Sequence, residues 1–194
     1  AGSDKKECNN ELLNIVLPTM KLLDMLSQKS IKVIFFSSGG TIYGNKSDLI
    51  TEESELEPIN YYGYSKLLIE QYILFLSRLL KLEYVIVRPS NVYGKLQNID
   101  ETQGFIEVAI GKILDNKTIE IWGSGKQTRD FIHISDVCTA INKIVSQGIS
   151  NKIINIACGK SHSLLEIIDI LEKELNMKAL LSFRDNRAVD AKHI

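Results

Sequence analysis

Cysteine and histidine are scarce, three of each in 194 residues, and neither set has the spacing of metal ligands. Cys8, Cys138 and Cys158 are too far apart for a zinc site and read as buried or incidental thiols. His133, His162 and His193 are as dispersed, so no metal centre and no serine triad is expected. Charge of one sign is also missing. The net charge is -1 with acids and bases scattered, which gives no electrostatic footprint for nucleic acid or for an anionic membrane. No apolar run approaches the roughly 18 residues that span a bilayer, and no basic segment followed by an apolar one opens the chain. These absences predict a cytoplasmic protein with neither nucleic acid nor membrane as partner.

What the chain does have is a core. With 44% hydrophobic and 24% charged residues it is long enough for a globular domain with a sizeable interior. Its most informative stretch runs from Ser37 to Lys66. An apolar run, Ile31 to Phe36, reads as a parallel strand buried on both faces, and is followed by the small-residue turn Ser37-Ser38-Gly39-Gly40-Thr41-Ile42-Tyr43-Gly44. An acidic loop, Asp48 to Glu57, leads through Pro58 to Tyr62-Gly63-Tyr64-Ser65-Lys66, which opens a helix running to about Lys81. On a helix Tyr62 and Lys66 share one face, one turn apart. A free phenol ionises near pH ~10, and a cation held close favours the phenolate, bringing it toward the range of a general base.

The remaining elements alternate between strand and helix. Asn9 to Gln28 is helical, with Pro18 bending it. Tyr84 to Val87 is a strand ending in Arg88-Pro89-Ser90-Asn91-Val92-Tyr93-Gly94, with Arg88 read as structural. Gly104 to Asn116 is a helix, Thr118 to Trp122 a strand, and Ser135 with Asp136 caps a helix reaching Gln147. Ile153 to Ala157 is a buried strand, and Ser163-Leu164-Leu165-Glu166 is a capping box that opens a helix to Leu175.

The serine-rich strand end, the Tyr62-x-x-x-Lys66 pair, Arg88-Pro89-Ser90-Asn91, the block from Gln127 to Val137 and Arg187-Ala188-Val189-Asp190 together resemble the extended short-chain dehydrogenase/reductase family. Within it, the nucleotide-sugar epimerases and dehydratases are the nearest type, UDP-glucose 4-epimerase above all. The resemblance implies an α/β fold: a partial Rossmann-like parallel sheet flanked by helices, over residues 1–94, and a smaller C-terminal α/β region, residues 95–194, that mostly binds the nucleotide-sugar. It implies NAD as cofactor, held by Tyr62, Lys66, Asn14 and Ser37. It implies Tyr62 and Lys66 as catalytic residues, and Asn91, Arg129, Arg187 and Asp190 as contacts to a UDP-sugar or related substrate. Family members pair through the Tyr62 helix, so a homodimer is expected; packing within the subunit is the alternative use of its broad apolar surface.

The family's catalytic hydroxyl falls at Gly39 in this sequence, so Ser38 or Thr41 must replace it, unless both only satisfy the turn's backbone. Asn14 is equally readable as a polar residue on a helix surface, and Arg129 as the partner of Asp130 in a surface pair. The dehydratases place an acid just after the hydroxyl, whereas this chain has Gly40 and Thr41, which points to epimerisation through a 4-keto intermediate. A dehydratase or reductase is the alternative within the family. The sequence also holds no Gly-x-x-Gly-x-x-Gly turn for a dinucleotide pyrophosphate. A third expectation, from a different class, is therefore a non-catalytic fragment unable to bind NAD alone.

Overall fold

Pro18 shapes the first helical segment. A proline inside an α-helix lacks the N–H that bonds four residues back, and its ring crowds the carbonyl there. In the computed structural model, which describes residues 5–46, 48–95 and 104–185, a change of register replaces the simple bend. Helix α1 (Lys5–Glu11) runs into a π-helical turn, Leu12–Val16, where the Leu17 N–H reaches back to the Leu12 carbonyl. Helix α2 (Leu17–Ser27) then starts with Pro18 in its first turn, where no N–H is required.

Strand β1 (Lys32–Phe36) and a single turn, α3 (Gly39–Ile42), follow, and the acidic loop leads to α4 (Tyr61–Leu80), β2 (Glu83–Pro89) and β3 (Asn91–Tyr93). Beyond them come α5 (Phe105–Leu114), β4 (Thr118–Trp122), β5 (Thr128–His133), α6 (Ile134–Ser146), β6 (Lys152–Ile156), β7 (Ser161–Ser163), α7 (Leu164–Leu175) and β8 (Leu180–Arg184). Among the described residues β1, β2 and β6 form a parallel sheet in that order. A second sheet has the order β3-β5-β7, parallel then antiparallel, and β4 pairs with β8 in parallel. The fold is α/β, as the sequence predicts.

Strand β2 is the buried centre of the first sheet. Val85, Ile86 and Val87 are all 0% exposed, and because successive side chains point to opposite faces they feed two different clusters. Ile86 packs with Val16, Leu23, Ile69, Ile73 and Leu76 from the α2 and α4 layer. Val85 and Val87 pack with Val137 and Ile144 of α6. Each such side chain contributes about 1.5–3 kcal/mol of transfer free energy, so β2 is where the helical layers are tied together. The sequence assigns two-sided burial to Ile31–Phe36 instead. That strand is an edge among the described residues, which leaves Ile31 44% and Phe36 47% exposed. A third cluster, Ala109, Ile113, Ile119, Ile121 and Ile168, joins α5, β4 and α7.

Helix α4 is capped by Asn60, whose Oδ1 accepts the Gly63 N–H at 2.8 Å, and it ends at Lys81 in the left-handed conformation. Ile69, Ile73 and Leu76 point inward and Glu70 is buried beside them, while Phe75, Leu79 and Leu80 stay exposed. The cap of α6 is also a correction. His133 fills it, its Nδ1 accepting the Ser135 N–H, so Ser135 and Asp136 lie inside the first turn. The capping box at Ser163 and Glu166 forms as the sequence predicts. No helix among the described residues is long and apolar enough to cross a membrane.

Candidate active site

Gly63 brings the two halves of the site together. A Cβ at this position would lie 2.7 Å from the Thr41 carbonyl oxygen, closer than a real side chain approaches backbone. With only hydrogen there, α3 seats directly on the first turn of α4. Ser38 occupies the N-cap position of α3, yet its hydroxyl does not cap that helix. It acts on the Tyr62 phenol instead, favouring the phenolate.

Of the two hydroxyls left open by the sequence, then, Ser38 meets Tyr62. Thr41 Oγ1 is buried without a hydrogen-bond partner, and so is Ser37 Oγ at the end of β1. Neither Ser38 nor Thr41 gives its hydroxyl to the turn's backbone, as the alternative reading had it. Gly39 could not carry the family's hydroxyl without a shift, because a Cβ there would meet the Arg88 carbonyl oxygen at 2.9 Å.

Lys66 Nζ donates to the Phe36 carbonyl at 3.1 Å and lies over two rings, 5.2 Å from the centroid of Phe35 and 5.4 Å from that of Tyr62. The pair is assembled, but its electrostatics differ from expectation. Burial raises the Tyr62 phenol above its usual value, the Glu11 carboxylate raises it further, and the Ser38 side chain offsets part of this. Burial lowers the Lys66 ammonium, with Glu11 opposing. The phenol of this chain is therefore a resting acid, not a preformed base. Glu11 is a site residue that sequence reasoning missed; it accepts from the Ser65 hydroxyl at 2.7 Å across a separation of 54 residues.

Strand alternation places the substrate-side candidates. Asn91, Arg129 and Phe131 face a cleft of about 460 Å³ that Tyr62 also lines, together with Tyr93, Phe105 and Glu107. Three predicted residues thus share one space. Asn91 Nδ2 donates to the Asp130 carbonyl at 2.9 Å, and its side chain rests against Gly40. An Arg129 guanidinium nitrogen donates to the Thr128 carbonyl at 2.8 Å.

The intervening residues turn the other way. Arg88, Ser90 and Asp130 line a separate cavity of about 380 Å³, and they are taken up by structural contacts. Asp130 accepts the Ser90 hydroxyl at 2.6 Å and the N–H groups of Cys158, Gly159 and Lys160 at 2.9, 2.7 and 3.1 Å, which fixes the turn between β6 and β7. It is not the surface partner of Arg129. Arg88 is buried in a two-point pair with Glu70, as its structural reading predicts. Asn14 is exposed, in the π-helical turn, and donates to Asn10 Oδ1 at 2.6 Å. Arg187 and Asp190 lie outside the described residues.

A profile of the family described as "NAD dependent epimerase/dehydratase family" matches residues 5–157. The chain belongs to this family. It is 39% identical over 165 residues to a protein of Methanocaldococcus jannaschii provisionally named a UDP-glucose 4-epimerase, covering 84% of this chain and 53% of that relative. It is 38% identical over 154 residues to the dTDP-4-dehydro-6-deoxyglucose reductase of Escherichia coli, covering 79% and 49%. Among solved structures, the UDP-glucuronic acid 4-epimerase of Bacillus cereus in complex with UDP-glucuronic acid and NAD superposes with a TM-score of 0.85 at 29% identity, over 92% of this chain and 56% of that one. The chain spans about half the length of the curated relatives it matches.

The epimerase/dehydratase family implies a dinucleotide, and the side chains present fit one end of it. Ser37 Oγ is a buried hydroxyl with nothing to bond, at the strand end that also holds Lys66 and, one residue on, Ser38 with Tyr62. A buried orphan hydroxyl beside a cation and a phenol suits a polar, hydroxyl-bearing ligand such as a nicotinamide ribose. The pyrophosphate end has no glycine-rich turn in this sequence.

Proposed function

We propose that this chain carries the proton-handling and substrate-gripping part of an NAD-dependent nucleotide-sugar epimerase of the UDP-glucose 4-epimerase type, working through a 4-keto sugar. The observation that carries the reading is the cleft shared by Tyr62, Asn91 and Arg129. Tyr62, once it has released its own proton to solvent, accepts and returns the proton of the sugar hydroxyl. Ser38 orients that hydroxyl, and Lys66 holds its charge close to both. Arg129, a planar and permanently charged donor, and Asn91 take the diphosphate end, with Arg187 and Asp190 joining them. Ser37, Tyr62 and Lys66 hold the nicotinamide end of NAD, which supplies a reversible hydride acceptor when bound. Residues 1–94 form the dinucleotide side and 95–194 mostly the sugar-nucleotide side, with β6 returning to the first sheet.

Gly40 and Thr41 supply no acid for eliminating water, which disfavours dehydration. The likeness to an Escherichia coli reductase supports a second reading, net reduction of a 4-keto sugar nucleotide. The test is to denature the purified chain, assay released NAD, and incubate native chain with NAD and UDP-glucose while following UDP-galactose by chromatography. Interconversion without net change in NADH is the expected result. Consumption of NADH with a 4-keto sugar nucleotide favours the reductase. No retained NAD and no turnover would sink both readings and leave a non-catalytic fragment.

The same reading includes a homodimer. Leu22 and Met25 on α2, and Phe75, Leu79 and Leu80 on α4, are exposed apolar side chains on two helices that pack together. Pairing with a second copy would cover them. Sedimentation at micromolar concentration is expected to return a dimer; a monomer there counts against it.

A further inference from the structure

Glu11 ends α1, immediately before the π-helical turn, and its carboxylate accepts the hydroxyl of Ser65 at 2.7 Å. Ser65 sits on α4 between Tyr62 and Lys66, is 1% exposed, and its hydroxyl also lies 2.8 Å from the Tyr62 carbonyl. The carboxylate is thereby pinned to the helical turn that carries both groups of the pair. The charged groups around the phenol come from three other directions as well: Lys66 from its own helix, Arg129 from β5 and Glu107 from α5. Glu107 is engaged with the Gly94 N–H at 2.7 Å, and Arg129 with the Thr128 carbonyl. Glu11 is the anion tied to the pair itself.

We propose that Glu11 is a positioning residue of this site: its carboxylate, pinned by Ser65, sets the charge balance of the Tyr62–Lys66 pair. An anion near a phenol disfavours the phenolate, and the same anion favours the neighbouring ammonium. At Tyr62 the carboxylate adds to the rise that burial causes, and at Lys66 it opposes the lowering that burial causes. The catalytic meaning rests on the reading that Tyr62 handles the substrate proton. The coupling itself does not, and it is measurable without NAD or sugar.

The experiment is a pH titration of the ring carbon bearing the Tyr62 hydroxyl and of the Lys66 side chain by NMR, in the wild-type chain and in Glu11→Gln. Tyr62→Phe and Lys66→Arg identify the two signals. The glutamine keeps an oxygen for Ser65 and removes only the charge. Both midpoints are expected to move to lower pH. A packing role predicts otherwise, because admitting water at a loosened site lowers the phenol midpoint but raises the lysine midpoint. Coincident titrations in the two proteins, or a lysine midpoint that rises, would overturn the proposal. Should Glu11→Gln fail to fold, Glu11→Asp withdraws the charge by one methylene; smaller downward moves of both midpoints support the coupling, and no move refutes it. If turnover is also observed, the same variant should shift its pH profile. If there is none, the titration still decides the role of Glu11.

Discussion

Lys66 holds its ammonium over the ring of Tyr62, 5.4 Å from the centroid, while donating to the Phe36 carbonyl at 3.1 Å. Burial, Glu11 and Ser38 are what govern the phenol's ionisation. The folded phenol keeps its proton more firmly than the unfolded one, so its contribution to stability is complete below the ordinary tyrosine value near pH ~10 and is lost as pH rises through the folded value. Lys66, held lower in the folded chain, contributes the opposite slope just below the ordinary lysine value. In urea melts at a series of alkaline pH values, Tyr62→Phe should therefore lose stability less steeply than wild type, and Lys66→Met more steeply. Parallel curves for all three proteins would refute the assignment.

The ion pair in the core predicts a second, larger effect. Arg88 and Glu70 are 2% and 0% exposed and meet through two bonds, 3.0 and 2.7 Å, and Arg88 also donates to the Tyr43 hydroxyl at 2.7 Å. That hydroxyl in turn donates to Asn155 at 2.7 Å, so the network joins α4, β2, the turn after α3, and β6. Removing one charge strands the other in a low-dielectric interior, which costs about 3–5 kcal/mol. Glu70→Leu and Arg88→Met should each lower the unfolding free energy from urea melts by that order. The double variant should be less destabilised than either single one, because no charge is left unpaired. Additive losses would contradict the account.

How far the sequence reveals this site depends on distance along the chain. The Tyr62–Lys66 pair follows from local periodicity, and so does the capping box at Ser163. The separation of Arg129 from Asp130 was not read from the sequence, which allowed them as a surface pair; alternation along β5 sends one into the cleft and the other to the turn below it. Glu11 was not legible. Nothing in a helix-surface glutamate announces contact with a residue 54 positions later, and only the packing of α1 on α4 supplies it. The choice between Ser38 and Thr41 also needed three dimensions, because both hydroxyls sit within one short turn whose geometry the glycines leave open. Strand β1 was misjudged for a related reason: composition reports that a strand suits two-sided burial, not whether a neighbour is there to provide it.

The two orphan hydroxyls separate structural from functional use of the turn. A buried hydroxyl without a partner costs about 1–3 kcal/mol of desolvation, so Thr41→Val, nearly the same shape, is expected to leave stability unchanged or raised. Ser37→Ala should do the same for the free chain, yet weaken retention of NAD if Ser37 contacts the cofactor. Ser38→Ala should instead lower turnover by about a hundredfold, the scale set by a lost proton-transfer partner, with little change in the melt. Loss of turnover in Thr41→Val with full activity in Ser38→Ala would reverse the assignment of the catalytic hydroxyl.

Gly63 gives the sharpest structural prediction because the usual rule points the other way. Replacing glycine by alanine within a helix ordinarily stabilises it by about 0.5–1 kcal/mol. At this position the added methyl would sit 2.7 Å from the Thr41 carbonyl oxygen and 3.0 Å from Pro58 Cβ, and the first of these is backbone, which cannot rotate away. Seating α3 against α4 is then possible only if one of them moves, at a cost of about 1–3 kcal/mol for such overpacking. Gly63→Ala is expected to lower the urea midpoint accordingly and to part Tyr62 from Ser38, so that the phenol titration loses the influence of that side chain and its midpoint rises further. A variant as stable as wild type, with an unmoved Tyr62 titration, would show that α3 and α4 do not need the close approach on which the geometry of this site depends.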